Sequence, residues 1–184
     1  ILTPNISVLD DFCSLVATTR KKIIFWDTCC LLDIIRFPRD NDFASLSALI
    51  QIHTEIMSGK IYSVASEITV KEFNDHESQT IQEIKKLIHD NSNKYESIIQ
   101  FAQFFTSAPV GYSHVSTPAF NIETYLINLV DDIIQKTVFI QKDEIAAQWL
   151  DRIVQKKTPA KRKGEYKDAA IWTTCLAIAD EVNA

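Results

Sequence analysis

Short apolar runs alternate along the chain with longer segments of helical periodicity. The runs are Ile23–Trp26, Ile61–Val64 and Thr137–Ile140. Ile23–Trp26 is apolar at every position, which is typical of a strand buried on both faces, and the other two runs are also predicted to be strands. Apolar residues at helical spacing predict the helices, which are Val8–Thr19, Cys29–Ile35, Phe43–Met57, a segment from the N-cap Ser66 through His89, Tyr95–Phe105, Ile122–Gln135, Asp143–Val154 and Glu165–Asp180. The pattern predicts an α/β domain in which a short central parallel sheet is surrounded by many helices.

Turn and loop residues separate these elements. We expect Phe37–Asp42 to form a turn, and Ser107–Pro118 and Gln155–Gly164 to form loops. In the last helix, Ala169, Trp172, Leu176 and Ala179 form an apolar stripe that predicts its packing face. We predict one domain over residues 1–184, with a helical insertion at about 91–135.

Composition narrows the class of protein. The 184 residues carry a net charge of −5, which argues against binding nucleic acid over the whole surface. Four scattered cysteines indicate reduced thiols, and neither a signal peptide nor a membrane span is evident, so we expect a cytoplasmic protein without membrane contact. Glycine-rich phosphate loops are missing from the sequence, which disfavours nucleotide-loop enzymes.

Three acidic residues are placed where a parallel sheet builds its sites. Asp27 ends the first apolar run, Glu72 lies early in the helix after the second, and Asp168 opens the last helix. Because all three positions belong to the C-terminal edge of the sheet, the carboxylates are expected to converge. Converging carboxylates repel one another unless a cation neutralises them, so the pattern predicts a site for Mg²⁺ or Mn²⁺.

Each acid also has a structural interpretation. Asp27 can cap the following helix, Thr69-x-x-Glu72 can form a capping box, and Asp168 can complement a helix dipole.

A basic segment precedes Asp168. It includes Lys161, Arg162, Lys163 and Lys167. Such a run is often only a solvated loop, but beside an acidic metal site it can hold a phosphate backbone. We favour the second interpretation.

The motifs resemble those of PIN-domain nucleases. The segment Phe25–Leu32 is similar to the family's first strand motif, in which Thr28 follows the aspartate, and Ala65–Phe73 is similar to the second, with Ser66 at the cap. Lys167–Ile171 resembles the third motif, and the long helical segments are closest to a helix-enlarged PIN-like subgroup with a three-layer domain.

The resemblance implies a metal-dependent endoribonuclease that hydrolyses RNA through Asp27, Glu72 and Asp168, with Mg²⁺ or Mn²⁺ as cofactor. The substrate would be single-stranded or structured RNA. A protein inhibitor and a homo-oligomer are both open alternatives for a protein partner. The family usually has a fourth acid at or just after a later strand, and the given sequence ends at Ala184 before such a strand. Glu165 is the candidate for an additional carboxylate. The alternative is a catalytically weak or inactive PIN-like module that acts in binding or assembly.

Overall fold

A computed structural model describes residues 5–40, 43–105, 121–159 and 166–183. In chain order its elements are β1 (Asn5–Ser7), α1 (Leu9–Thr19), β2 (Lys22–Trp26), α2 (Thr28–Asp40), α3 (Phe43–Met57), β3 (Ile61–Ser66), α4 (Glu67–Phe105), α5 (Ile122–Lys136), β4 (Val138–Ile140), a short 3-10 helix (Asp143–Ile145), α6 (Ala146–Val154) and α7 (Tyr166–Asn183). No helix in these ranges combines the length and the apolar character needed to cross a membrane.

The described strands form a parallel sheet in the order β1-β4-β3-β2. Trp26 lies beside Ala65, and Ser66 lies beside Ile140, so three strands end at a common edge. The three predicted strands are confirmed, and so is the α/β architecture with many helices around a short parallel sheet. The three-residue strand β1 was not predicted, because so short a run carries no recognisable pattern.

The two faces of the sheet bury separate apolar cores. Alternation along β4 sends Phe139 into a core shared with α2, α3, α4 and α5, and sends Ile140 into a core shared with α1 and α7. Along β2, Trp26 faces the first core and Phe25 packs against the second. Because side chains alternate in this way, helices cover both faces of the sheet and the domain has three layers.

The predicted turn at Phe37–Asp42 is wrong for residues 37–40, which continue α2 and include Pro38. The last turns are held against α4 because Ile34 and Ile35 are buried, while Arg36 contacts Asp33 and Thr80. Residues 41 and 42, and the predicted loop at Ser107–Pro118, lie outside the described residues.

The break predicted between His89 and Tyr95 is also wrong, because α4 runs without interruption for 39 residues. Polar residues form its intervening turns, where the Asn93 amide contacts His89 and the Ser97 hydroxyl donates to the Asn93 carbonyl. Helix α5, which falls within the predicted insertion, buries Val130 and Ile133 in the same core as α2. The division into one domain with an insertion stays a prediction.

The predicted packing face of α7 requires correction. Trp172 is 49% exposed and Ala179 is exposed. The side chains that α7 buries are instead small or β-branched, which lets the helix approach the sheet closely: Ala169, Ala170, Ile171, Thr173, Thr174, Ala177 and Ile178. Thr173 and Thr174 are polar, so the apolar pattern does not include them. Their burial is possible because their hydroxyls donate to backbone carbonyls one turn earlier.

Candidate functional site

Asp27 lies at the junction of β2 and α2, at the C-terminal edge of the sheet. Its carboxylate oxygen Oδ1 accepts a hydrogen bond from the Thr28 backbone nitrogen at 2.7 Å, and its carbonyl accepts from Leu31 at 3.3 Å. Asp27 therefore occupies the cap position, where its carbonyl accepts the first helical hydrogen bond and its side chain contacts the first residue of α2. The same residue also lines a cavity, so capping and function are compatible in this position.

Glu72 is held by two partners from distant parts of the chain. The Thr28 hydroxyl donates to Oε2 at 2.8 Å, and the Lys167 ammonium lies 3.5 Å from Oε1. The capping box with Thr69 does not form, because α4 begins earlier, where the Ser66 hydroxyl accepts from the Ile68 nitrogen at 3.3 Å. Ser66 is therefore the cap, and the Glu72 carboxylate faces the neighbourhood of Asp27.

Asp168 lies in the first turn of α7 and shares a cavity with Asp27. The cavity has a volume of about 740 Å³ and lies between α7 and the junction of β2 with α2. Phe25, Ile171 and Trp172 contribute apolar walls. The structure thus brings two of the three predicted acids, Asp27 and Asp168, to one cavity.

Lys167 and Glu72 line a second, smaller cavity of about 300 Å³. There the Lys167 ammonium also lies 4.0 Å from a carboxylate oxygen of Asp75. The side chain of Lys167 is 32% exposed and that of Glu72 is 19% exposed, so this ion pair is partly shielded from water. Consecutive residues of α7 therefore serve different cavities, with Asp168 beside Asp27 and Lys167 beside Glu72.

The thiol of Cys29 responds to the local negative charge. Burial raises its pKa, and the nearby carboxylates of Asp27, Asp33 and Glu72 raise it further. Glu72 and Asp27 thus act on the same side chain although they line different cavities. All three carboxylates therefore lie close enough to Cys29 to disfavour its thiolate.

The carboxylate oxygens of this site suit a hard divalent cation that binds only a few protein ligands. Among the described residues, no group of three or more His, Cys, Asp or Glu side chains is arranged to hold a metal ion. Magnesium commonly takes only one or two protein carboxylates and completes its shell with water and phosphate oxygens. Asp27 and Asp168 line one cavity, so they supply carboxylates in the number that such a site takes.

Several predicted site residues cannot be located here. Glu165, Lys161, Arg162 and Lys163 lie outside the described residues, which resume at Tyr166.

Trp172 was not predicted as a site residue, although it lines the cavity together with Asp168. The sequence signal was available in the spacing Asp168-x-x-x-Trp172, since residues four apart share a helix face. It was missed because Trp172 also matches an apolar stripe, and only the structure shows that its side chain is half exposed.

The fold and the site define a three-layer α/β domain with carboxylates at the C-terminal edge of its parallel sheet. A profile of the PIN domain matches residues 24–184, and the chain belongs to the PIN-domain family. PIN domains are in general nucleases, so the general class of activity is that of a nuclease. No curated protein and no solved structure matches the chain.

Proposed function

We propose that the chain is a metal-dependent endoribonuclease that hydrolyses RNA phosphodiester bonds. The observation that carries the proposal is the shared cavity of Asp27 and Asp168, at the sheet edge of a PIN domain. These carboxylates would hold Mg²⁺ or Mn²⁺. When bound, such a cation supplies Lewis-acid stabilisation of phosphoryl charge and makes water more acidic.

Each acid would have a distinct role. Asp27 is fixed by the start of α2 and Asp168 by the first turn of α7, so the two carboxylates approach the cavity from separate elements. Glu72, whose orientation is set by Thr28 and Lys167, would accept a hydrogen bond from the attacking water or orient it through Thr28. Ser66 would act only by fixing the start of the helix that carries Glu72.

The reaction would be a hydrolysis. Water oxygen forms a bond to phosphorus, the bond from phosphorus to the 3′ oxygen breaks, and the leaving oxygen takes a proton. The products would be a 5′-phosphate and a 3′-hydroxyl. Lys167, with the basic segment Lys161–Lys163 that precedes it in sequence, would attract the RNA backbone to the acidic site.

All four cysteines are free thiols, which supports our proposal of a cytoplasmic protein.

The test is cleavage of an end-labelled mixed RNA pool with Mn²⁺ or Mg²⁺. Wild-type protein should cut the pool, and Asp27→Asn and Asp168→Asn should each lower the rate by at least roughly 100-fold. The matched control is Asp180→Asn, the same substitution on the same helix, because residues twelve apart on a helix are separated by about 18 Å. Equal rates in all four proteins would refute the proposed roles of Asp27 and Asp168.

Two observations favour a second function. Glu72 is neutralised by Lys167, and no three-ligand metal group occurs among the described residues. A site in which one of the predicted acids is paired with a lysine is expected in a catalytically weak or inactive PIN-like module that binds RNA or assembles with a protein. Metal-independent RNA binding without cleavage, unchanged in Asp27→Asn, would support this alternative.

A further inference from the structure

The cavity between Asp27 and Asp168 has an aromatic wall that the proposed hydrolysis does not use. Trp172 contributes to this wall from α7, one turn after Asp168. Phe25, at the end of β2, and Ile171 line the same cavity. The cavity therefore combines carboxylates with a flat aromatic surface. Trp172 follows Asp168 by about 6 Å along the axis of α7, which is the rise of four helical residues.

Trp172 is half exposed although both of its neighbours in sequence are buried. The residues on either side of it, Ile171 and Thr173, are 4% and 3% exposed, whereas Trp172 is 49% exposed. A tryptophan that keeps half of its surface uncovered beside a cavity forgoes much of the free energy that burial would provide. Such partly exposed aromatic side chains are enriched at binding surfaces, where one ring face is still available for a partner.

We infer that Trp172 stacks on an unpaired base of single-stranded RNA while the adjoining phosphate lies at Asp27 and Asp168. The inference rests on the proposed function, because it takes the substrate to be RNA, and it names the form of RNA that fits. A nucleotide joins a flat aromatic base to an anionic phosphate, and the cavity offers an aromatic wall beside carboxylates suited to a cation that binds phosphate.

The size of the cavity agrees with this occupant. Its volume of about 740 Å³ falls in the range of about 300–1,000 Å³ that small-molecule pockets span. Bases of double-stranded RNA are already stacked on their neighbours, so they cannot reach a protein aromatic face. The cavity therefore selects single strands, loops or ends.

The experiment compares short single-stranded RNA with the same strand carrying one abasic nucleotide at each position in turn. Dissociation constants are measured by fluorescence anisotropy with Ca²⁺ in place of Mn²⁺, and the integrity of the RNA is checked on a gel. In wild-type protein, one abasic position should weaken binding roughly 5- to 150-fold, as the loss of a stacked base does. A double-stranded competitor should displace the labelled strand poorly.

Trp172→Ala should weaken binding of the intact RNA by a similar factor and should no longer distinguish it from the abasic strand. Trp172→Phe should keep part of the discrimination, because phenylalanine retains a ring face. The matched control is Tyr125→Ala, which removes an exposed aromatic side chain of α5 outside the cavity and should bind as wild type. Intrinsic fluorescence gives a second readout, since quenching by intact RNA should be lost in Trp172→Phe.

Wild-type affinity for intact RNA in Trp172→Ala would overturn the inference, as would an equal loss for intact and abasic strands. Failure to bind single-stranded RNA at all would overturn it too. Absence of cleavage by wild-type protein with Mn²⁺, while discrimination still depends on Trp172, would instead reject the nuclease proposal and leave the base contact intact.

Discussion

The Thr28 hydroxyl donates a hydrogen bond to Oε2 of Glu72 at 2.8 Å, across 44 residues of sequence. Thr28 is the residue directly after Asp27, and it is almost fully buried. The bond therefore joins the start of α2 to the long helix α4 at the C-terminal edge of the sheet. It holds the Glu72 carboxylate against the residue that follows Asp27.

Replacing this hydroxyl should cost stability and activity together. Thr28→Val keeps the shape of the side chain but removes the hydroxyl donor of the partly buried Glu72 carboxylate, which then has Lys167 as its partner, so we expect a loss of about 1.5–3 kcal/mol in the free energy of unfolding. Urea titration measures the loss, and the cleavage assay should show a lower rate constant at saturating RNA. Thr28→Ser should recover most of both. The control is Thr54→Val, which removes an exposed hydroxyl of α3, and a loss as large there would contradict a specific role for Thr28.

Lys167 should oppose metal binding because its ammonium already neutralises Glu72 and Asp75. Lys167→Met makes the potential of the site more negative, so Mn²⁺ should bind roughly threefold to tenfold more tightly by calorimetry, the scale of a partly exposed ion pair. RNA should bind more weakly in the same variant. Lys136→Met, which removes an exposed lysine just before β4 at the opposite sheet edge, is the control. Unchanged Mn²⁺ affinity in Lys167→Met would show that the ion pair does not compete with the metal.

The sequence predicts the alternation of strands and helices well because both faces of the sheet are buried. A strand such as Ile23–Trp26 is then apolar at every position, and its end marks where Asp27 must lie. The motifs around Asp27 and Asp168 are sufficient to indicate the family, which the match over residues 24–184 establishes.

What sequence reasoning could not supply is the pairing of side chains between elements. Lys167 is predicted to contact phosphate, yet its observed partners are Glu72 and Asp75, which are more than 90 residues away in sequence. The exposure of Trp172 is likewise a tertiary property, since helical periodicity identifies a stripe but not the neighbour that covers it. Both features depend on how α7 lies against the sheet.

A buried series of side-chain hydrogen bonds beside the sheet should contribute measurably to stability. Trp26 Nε1 donates to the Ser63 hydroxyl at 2.8 Å, Ser63 and Thr137 hydroxyls are 2.6 Å apart, and Thr137 donates to the Ile133 carbonyl at 2.7 Å. Ser63→Ala leaves the indole nitrogen without this acceptor, so unfolding should become easier by about 1–3 kcal/mol. Thermal unfolding should show a lower midpoint. Ser97→Ala, on the exposed part of α4, should change stability little, and an equal effect there would contradict the argument.

Glu67 should give the protein a component of stability that is lost in acid. Its carboxylate accepts one hydrogen bond from the Lys71 ammonium and a second, at 3.4 Å, from the Lys142 backbone nitrogen. The Lys71 hydrogen bond, the largest cause, lowers the pKa of Glu67 below its ordinary value of 4.5, with a smaller contribution from Lys142 and against the opposing effect of burial.

The sign of the pH dependence follows from this shift. Because the folded-state pKa lies below the unfolded one, the unfolded chain binds the proton more readily, and folding is favoured whenever Glu67 is ionised. The contribution is therefore complete above about 4.5, the unfolded value, and it is lost as pH falls through the folded pKa. Glu67→Gln should lower the free energy of unfolding by roughly 0.5–1 kcal/mol at neutral pH.

Urea titrations of wild type and Glu67→Gln across acid and neutral pH provide the measurement. The two curves should converge below the folded pKa, because a protonated glutamate and a glutamine are then both neutral. Glu83→Gln is the matched control, since that side chain accepts from Gln79 on the exposed face of the same helix and should show a smaller difference at every pH. A constant offset between wild type and Glu67→Gln would mean that Glu67 acts through shape and not through its charge.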